Sequence, residues 1–142
     1  MEKIIRISVK GGSGYGPYSE AFEDKVTVTE DGIQYQYKPM CPEVHKPRKW
    51  SYRTDRPEFR ELWAELCRLM PDIWAAEEEL VCDGCEATFK VTFEDKRKIV
   101  KTFWSPSGEP FFDCYRLIRK MIPGGEEIPA VLWLPEDEEN SE

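Results

Sequence analysis

The residue pattern with the greatest potential for chemistry is the cysteine pair in Cys82-Asp83-Gly84-Cys85. Together with Cys41 and His45, this pair could supply three thiolates and one imidazole, a tetrahedral ligand set that suits zinc. However, Asp-Gly is also typical of a tight turn, and the motif precedes a predicted strand instead of opening a helix, which disfavours a redox dithiol. We therefore expect a turn with half-buried cysteines and no cofactor, and we keep zinc as the alternative.

Other residues that could act as nucleophiles or bases have simpler explanations. Cys67 and Cys114 fall on the apolar sides of predicted helices, and the chain has one histidine that could activate a thiol. We expect both cysteines to belong to the core. The carboxylates of residues 77–79 form a charge run, and such runs are usually solvated. The sequence therefore favours a protein without catalytic activity.

A glycine-rich segment from Gly11 to Pro17 could in principle bind phosphate through its backbone N–H groups. It contains no Gly-Lys-Ser/Thr sequence, and its glycine spacing does not fit the dinucleotide-binding pattern. We expect a flexible connection between two strands. The alternative is a flap that covers a ligand with Tyr15 and Tyr18.

Basic and aromatic residues are interleaved in the segment from Lys46 to Arg53. This composition suits stacking on single-stranded nucleic acid, and it equally suits anchoring at a protein interface. We expect an interaction surface for an acidic partner, formed by Arg48, Lys49, Trp50, Tyr52 and Arg53. The acidic stretch from Asp72 to Glu86 could neutralise this surface within the fold or from a second copy, which would give a salt-sensitive homodimer.

The overall charge restricts the partners further. The 142 residues carry a formal net charge of −8, and five acidic residues among the last seven contribute to it. Bulk capture of nucleic acid or of an anionic membrane is therefore not expected. The chain has no apolar run of about 20 residues and no signal-peptide pattern, and its five cysteines cannot all pair. We expect a cytoplasmic protein with free thiols and no membrane partner.

Alternating apolar residues predict the strands that would position these groups. Residues 3–9 predict a first strand whose core-facing side chains are Ile5, Ile7 and Val9. Residues 26–37 predict a hairpin in which Asp31-Gly32 forms a two-residue turn and sets Val28 opposite Tyr35. A short strand is expected at residues 50–52.

A second hairpin is predicted from residues 88–93 and 98–104. A two-residue loop at Asp95-Lys96 would set Val91 opposite Val100, but it would also set Phe93 against Lys98. The register of this hairpin therefore stays ambiguous.

Two helices are expected to cover the strands. The first begins after Asp55, which with Glu58 resembles a capping box, and it ends at Pro71. The second runs from about Pro110 to Ile122, and residues 130–134 form either a short edge strand or a segment packed on the core. The expected contact between the first helix and the sheet involves Phe59, Leu62, Trp63, Leu66, Val26, Val28, Tyr35, Phe89 and Val91.

The order of these elements predicts an α+β fold, because hairpin turns rather than crossover helices join most strands. We expect an antiparallel sheet of β-hairpins with two main helices packed on one face. Residues 1–135 would form a single domain, and residues 136–142 a disordered acidic tail.

The chain resembles a loosely defined family of small, uncharacterised bacterial domains of the Firmicute type. The resemblance covers about residues 3–134 and is carried by Gly11-Gly12 with Tyr15 and Tyr18, Trp74, Asp83-Gly84 and Phe111-Phe112. It implies no particular activity. Because the positions flanking Asp-Gly in such domains are not usually cysteines, the resemblance disfavours zinc.

Two hypotheses for the function follow. The first is a non-catalytic binding or protein-interaction module, in which the exposed sheet face with Gln34 and Gln36, or the rim of the glycine loop, meets a protein or a small ligand. The second is a zinc-binding or thiol-dependent protein that uses Cys82 and Cys85.

Overall fold

The computed structural model describes residues 3–12, 18–76, 86–104, 109–132, 134 and 137. Within these ranges the chain forms six strands, two helices and two short 3₁₀ turns at Tyr18–Glu20 and Ala130–Leu132. In chain order the main elements are β1 (Ile4–Gly12), β2 (Phe22–Thr29), β3 (Gly32–Pro39), β4 (Arg48–Arg53), α1 (Pro57–Ala75), β5 (Glu86–Phe93), β6 (Lys98–Trp104) and α2 (Phe111–Met121). None of the helices in the described ranges is long and apolar enough to cross a membrane.

The six strands form one antiparallel sheet in the order β4-β3-β2-β1-β5-β6, and α1 and α2 pack against the apolar side of the sheet. This arrangement confirms the predicted α+β class. Strand alternation places one set of side chains under the helices and the other set on the opposite side, which we call the open face. The buried set on the strands includes Ile7, Val9, Val26, Val28, Phe89, Val91 and Phe103.

The helix α1 contributes the apolar stripe that the sequence predicts. Phe59, Trp63 and Leu66 are buried in the core cluster, while Leu62 is half-buried at its margin. Ile5 is an exception to the predicted pattern of β1, because it is 41% exposed. The register of β1 against β5 shifts between Ile4 and Arg6, and this irregularity turns Ile5 away from the core.

The first hairpin turns at residues 30–31, one residue earlier than predicted. Val28 lies opposite Ile33 instead of Tyr35, so the predicted register was wrong by two residues. The physical reason is apolar pairing, because the predicted register would have set Ile33 against Glu30. The Thr29 hydroxyl also donates to the Asp31 carboxylate at 3.0 Å within the turn. Since a shift of two residues preserves the alternation, the faces of both strands are as predicted.

The second hairpin has a three-residue loop, Glu94 to Lys96, instead of the two-residue loop considered from the sequence. Lys96 donates its backbone N–H to Phe93, and Lys96 adopts a positive φ of 75°. This loop sets Val91 opposite Ile99 and keeps Lys98 away from Phe93. The ambiguity of register is thereby resolved in favour of apolar pairing.

The limits of α1 differ from the prediction at both ends. Its N-cap is Arg56, with no side-chain capping bond and with Pro57 at the first helical position, so the capping box at Asp55 does not form. The helix continues through Pro71 to Ala75. Burial of Ile73 offsets the backbone hydrogen bond that Pro71 cannot donate, and this explains why the helix does not end there.

The C-terminal segment packs on the core instead of adding a strand. Leu132 and Leu134 are buried, and Val131 lies so close to β1 that a Cβ atom at Gly11 would come within 2.5 Å of it. Gly11 is therefore required for this close approach. Asp137, within the segment predicted to be disordered, accepts hydrogen bonds from the Arg119 guanidinium at 2.8 and 2.9 Å. Most of the predicted acidic tail lies outside the described residues.

Candidate functional site

The open face of the sheet is basic, although the protein as a whole is acidic. Pairing registers place eight basic side chains on this face, namely Arg6, Lys10, Lys25, Lys38, Lys49, Arg53, Lys90 and Lys98. On the described strands its only acidic residues are Glu23 and Glu86. The remaining positions on β1 to β5 are Ser, Thr, Gln and Gly, including the predicted Gln34 and Gln36. Over β1 to β5 the face is therefore a hydrophilic cationic surface.

Few of these cations are neutralised by nearby carboxylates. Lys10 contacts Glu23 at 2.6 Å, and Arg53 contacts Asp31 at 3.5 Å. Over the part of the chain that the structure describes, Arg6, Lys25 and the other members of the face form no ion pair. Unpaired cations on one side of a sheet produce a positive potential that an anionic partner can meet without displacing internal contacts.

A depression of about 390 Å³ lies at one end of this face, near the turn between β2 and β3. Its charged lining residues are Arg6, Arg53 and Asp31, and its lining residues with aliphatic hydroxyl groups are Thr27, Thr29 and Ser51. Guanidinium and hydroxyl groups donate hydrogen bonds, and a guanidinium can bind both oxygens of a carboxylate. The depression thus offers donors for a carboxylate-bearing group.

The structure distributes the predicted surface on β4 over both sides of the sheet. Lys49 and Arg53 lie on the open face, whereas Arg48, Trp50 and Tyr52 lie on the helical side. This division follows from strand alternation, because consecutive side chains point to opposite faces. The five residues therefore do not form one continuous surface.

The three side chains on the helical side make internal contacts. Arg48 donates to both carboxylate oxygens of Glu127, at 2.9 and 3.1 Å, and its guanidinium lies 3.9 Å from the Tyr37 ring centroid. Trp50 packs on Tyr35 and Tyr52 packs on Phe59, at centroid distances of 5.9 and 6.5 Å. These contacts join β4 to the core side of the sheet.

The sheet carries most of its cations on the open face and its aromatic rings on the helical side, and this separation bears on whether the open face could bind nucleic acid. Stacking proteins place aromatic rings and cations on the same surface. Here β1 to β5 present no aromatic side chain on the open face, as their registers show. The open face of β1 to β5 is therefore better suited to carboxylates than to exposed bases.

A buried carboxyl group lies on the helical side of β2. Asp24 is 2% exposed, and its Oδ2 accepts hydrogen bonds from the Tyr35 hydroxyl at 3.1 Å and from the Val131 backbone N–H at 3.3 Å. Burial raises the pKa of Asp24 above its usual value, and burial beside Asp24 also raises the pKa of Tyr35. The contacts indicate a structural role, because they attach the C-terminal segment to the sheet.

The predicted metal ligands are only partly within the described residues. Cys41 is half-buried, and the Nε2 atom of His45 lies 2.8 Å from a Glu20 carboxylate oxygen. Cys82 and Cys85 lie outside the described residues, as does Tyr15, and the side chain of Tyr18 is not described. Within the described ranges, no group of three or more His, Cys, Asp or Glu residues is placed to hold a metal ion.

Two further thiols are poor nucleophiles. Burial raises the pKa of Cys67 to about 11 and the pKa of the fully enclosed Cys114 to about 12. Both side chains belong to the core or pack against it, as predicted from their helical positions. Their environment disfavours thiol chemistry at neutral pH.

A second depression, of about 440 Å³, lies between α1 and α2. Its lining mixes acidic residues such as Glu65 and Asp113 with basic residues such as Arg68 and Arg116. Arg116 contacts Glu109 and Asp113 at 3.1 and 3.6 Å. Because the charges of this depression are mixed and partly satisfied internally, it has less preference for a ligand of one sign than the open face has.

Several residues of the candidate site were missed from the sequence although a signal was present. Lys25 and Lys90 each lie out of phase with the buried residues of their strands, so alternation could have placed them on one face. Asp24 lies in phase with Val26 and Val28, and the same rule could have indicated its burial. What the sequence did not reveal is the order in which the strands bring these residues together.

Comparison with known proteins identifies no relative of the chain. No protein-family model matches it, and no curated protein or solved structure is significantly similar to it. The resemblance to Firmicute-type domains therefore stays a prediction. The fold and the candidate site define the class of the molecule as an α+β protein with one helical face and one basic, open sheet face.

Proposed function

We propose that the protein is a non-catalytic interaction module whose open sheet face binds an acidic surface or segment of a protein partner. The observation that carries this proposal is the concentration of eight basic side chains on the open face of a chain with net charge −8. A random distribution of the 20 basic and 28 acidic residues would not favour a cationic face. Such a local reversal of sign supports selection of an anionic partner.

The geometry supports a partner that lies across several strands. Lys25 and Lys49 both lie opposite Gln36, on the strands that flank β3, so they form one row across the sheet. Neighbouring strands are about 4.8 Å apart, and the two Cα atoms are therefore separated by about 10 Å. Carboxylates on an extended or helical acidic segment can meet such a row, while Arg6, which forms no ion pair among the described residues, receives another carboxylate in the depression.

An acidic protein suits this surface better than nucleic acid does. The open face of β1 to β5 has no aromatic platform, and the strongly acidic remainder of the chain would repel a long polyanion. A discrete acidic patch avoids that repulsion because it meets only the open face. Nucleic acid binding is accordingly an outcome that the test must distinguish.

The test compares two doubly charge-reversed variants with equal net charge. Lys25→Glu with Lys49→Glu alters the row on the open face, and Arg60→Glu with Lys120→Glu alters exposed positions on the helices. Fluorescence anisotropy measures binding of a labelled oligo-glutamate peptide and of a labelled oligothymidylate, each at low and high salt. Thermal unfolding of every variant verifies that the fold is retained.

We expect salt-sensitive binding of oligo-glutamate by the wild type, weakened about tenfold by the open-face variant and nearly unchanged in the helix variant. Absence of peptide binding at low salt would contradict the proposal. Equal weakening in both variants would show that net charge, not the open face, governs binding. If the wild type bound oligothymidylate more tightly than oligo-glutamate, the proposal would be wrong and the partner would be a nucleic acid.

A further inference from the structure

The two edge strands of the sheet differ in the side chains that they expose. The edge strand β4 carries Arg48, Lys49 and Arg53, and charged edges oppose pairing with other strands. The edge strand β6 begins with an exposed lysine, Lys98, but its next two residues are exposed apolar side chains, with Ile99 38% and Val100 58% exposed. Among the described strands, β6 pairs only with β5. An apolar edge of this kind is a surface on which a further strand can be added.

The hairpin geometry determines which backbone groups of β6 remain available. Phe93 donates its backbone N–H to Arg97 at the start of the hairpin, and Val91 lies opposite Ile99. In an antiparallel ladder, hydrogen-bonded pairs recur at every second residue. The odd-numbered residues of β6 therefore bond to β5. The outward-facing backbone groups belong to Lys98, Val100 and Thr102.

We infer that a second copy of the chain pairs with β6 through its own β6, antiparallel and about a two-fold axis that passes between the two Val100 residues. This register aligns outward-facing groups with outward-facing groups, as the ladder requires. It sets Lys98 opposite the second copy's Thr102, and Ile99 opposite the second copy's Lys101. No like charges lie directly opposite one another.

Charge pairing argues for this register and for this edge. A two-fold axis at Lys98 would set two lysines against each other, which is destabilising. On β4, the strand pairing assigns outward backbone groups to Lys49, Ser51 and Arg53. An axis at Ser51 would then set Lys49 opposite the second copy's Arg53, and it would do so twice. Of the two edge strands in the described ranges, only β6 can therefore pair with itself around the middle of the strand without a repulsive pair.

The Lys101 side chain does not oppose the pairing. Its Nζ atom donates to the backbone carbonyls of Trp74 and Ala76, at 2.6 and 3.3 Å, so its charge is held at the end of α1. Its aliphatic stem is left to contact the second copy's Ile99. The pairing would join two six-stranded sheets into one, with both open faces on the same side. This inference concerns a different surface from the proposed function and does not depend on it.

Cysteine cross-linking tests the register directly. In a hydrogen-bonded antiparallel pair the Cα atoms are about 5.5 Å apart, which lies within the range for a disulfide. Val100→Cys should therefore form a disulfide-linked dimer under mild oxidation. In the matched control, Ile99→Cys, the same geometry separates the two Cα atoms by about 8 Å, beyond disulfide reach. Wild type, oxidised in parallel, reports any cross-linking by the native cysteines.

Sedimentation over a concentration series provides the second measurement. We expect wild type and the conservative Val100→Thr to form dimers at high concentration, and Val100→Lys to remain monomeric because two lysines would meet on the axis. Val100 is exposed, so these variants should keep their fold. A wild type that stays monomeric at every concentration would overturn the inference, and equal cross-linking of the two cysteine variants would overturn the register. Faster cross-linking of Ile99→Cys would overturn the register.

Discussion

The Tyr35 hydroxyl donates a hydrogen bond to the Asp24 carboxylate at 3.1 Å, on the buried side of two neighbouring strands. The second carboxylate oxygen of Asp24 has no hydrogen-bond partner among the described residues. A carboxylate that is enclosed and only partly hydrogen-bonded destabilises the folded state when it is ionised. The charge of Asp24 is therefore linked to stability.

The first prediction concerns the pH dependence of this linkage. The folded-state pKa of Asp24 is raised above its ordinary value of 3.8, so between those two values the folded protein binds a proton that the unfolded chain has released. Stability from this group is present below pH 3.8 and is lost as the pH rises through the folded-state pKa. The melting temperature of Asp24→Asn, measured relative to that of wild type, should therefore rise as the pH increases from acidic to neutral.

The control for this experiment is Asp31→Asn. The Thr29 hydroxyl and the nearby Arg53 hold the pKa of Asp31 below its usual value, so its contribution has the opposite sign. Wild-type Asp31 stabilises the fold above its ordinary pKa and loses this effect on acidification. Parallel pH profiles for the two variants would contradict our assignment of the Asp24 burial.

The second prediction concerns the end of α1. Lys101→Met removes the ammonium group that binds the carbonyls of Trp74 and Ala76, and it should lower the free energy of unfolding by about 1–2 kcal/mol. Lys98→Met, at an exposed position on the same strand, should change it by less than about 0.5 kcal/mol. Urea denaturation measures both. Equal effects would show that Lys101 does not cap the helix.

The third prediction concerns the second hairpin turn. Lys96 has a φ of 75°, which glycine adopts at lower energy than a residue with a Cβ atom. Lys96→Gly should raise the free energy of unfolding by about 0.5–1 kcal/mol, whereas Lys98→Gly, within β6, should lower it. Guanidinium denaturation distinguishes the two. A loss of stability in Lys96→Gly would argue against the three-residue loop.

The fourth prediction concerns thiol reactivity. With pKa values of about 11 and 12, Cys67 and Cys114 hold almost no thiolate at pH 8, and Cys114 is fully enclosed. Iodoacetamide should modify both only after unfolding, as peptide mapping by mass spectrometry can show. Modification of Cys114 in the folded protein as fast as in urea would mean that α2 does not bury this residue.

The comparison of sequence and structure shows what alternation can and cannot predict. Period-two patterns correctly predicted which side chains of β2, β3 and β5 are buried. A shift of the strand pairing by two residues leaves every side chain on the same face, so this prediction does not depend on the exact register. They did not distinguish Ile33 from Tyr35 as the partner of Val28, since both have the same phase. Pro71 was an unreliable end signal, because the apolar stripe of α1 continues beyond it. Local propensity was outweighed there by burial.

The candidate site depends on strand order, which local patterns do not contain. Lys49 and Lys25 are far apart in the chain, and they share a row only because β3 lies between their strands. The composition of residues 48–53 predicted an interaction surface, but composition does not indicate on which side of a strand each residue lies. The division of Arg48 and Trp50 from Lys49 follows directly once β4 is known to be a strand.

The central position of β1 has a consequence for synthesis on the ribosome. One edge of β1 pairs with the hairpin strand that follows it, but the other must wait for β5, which begins at Glu86. At about 5–20 residues per second, translation leaves that edge without its partner for several seconds, while a hairpin forms in microseconds. Nascent chains and fragments that end before Glu86 should therefore carry an unpaired, apolar strand edge, which makes them substrates for chaperones and prone to aggregation.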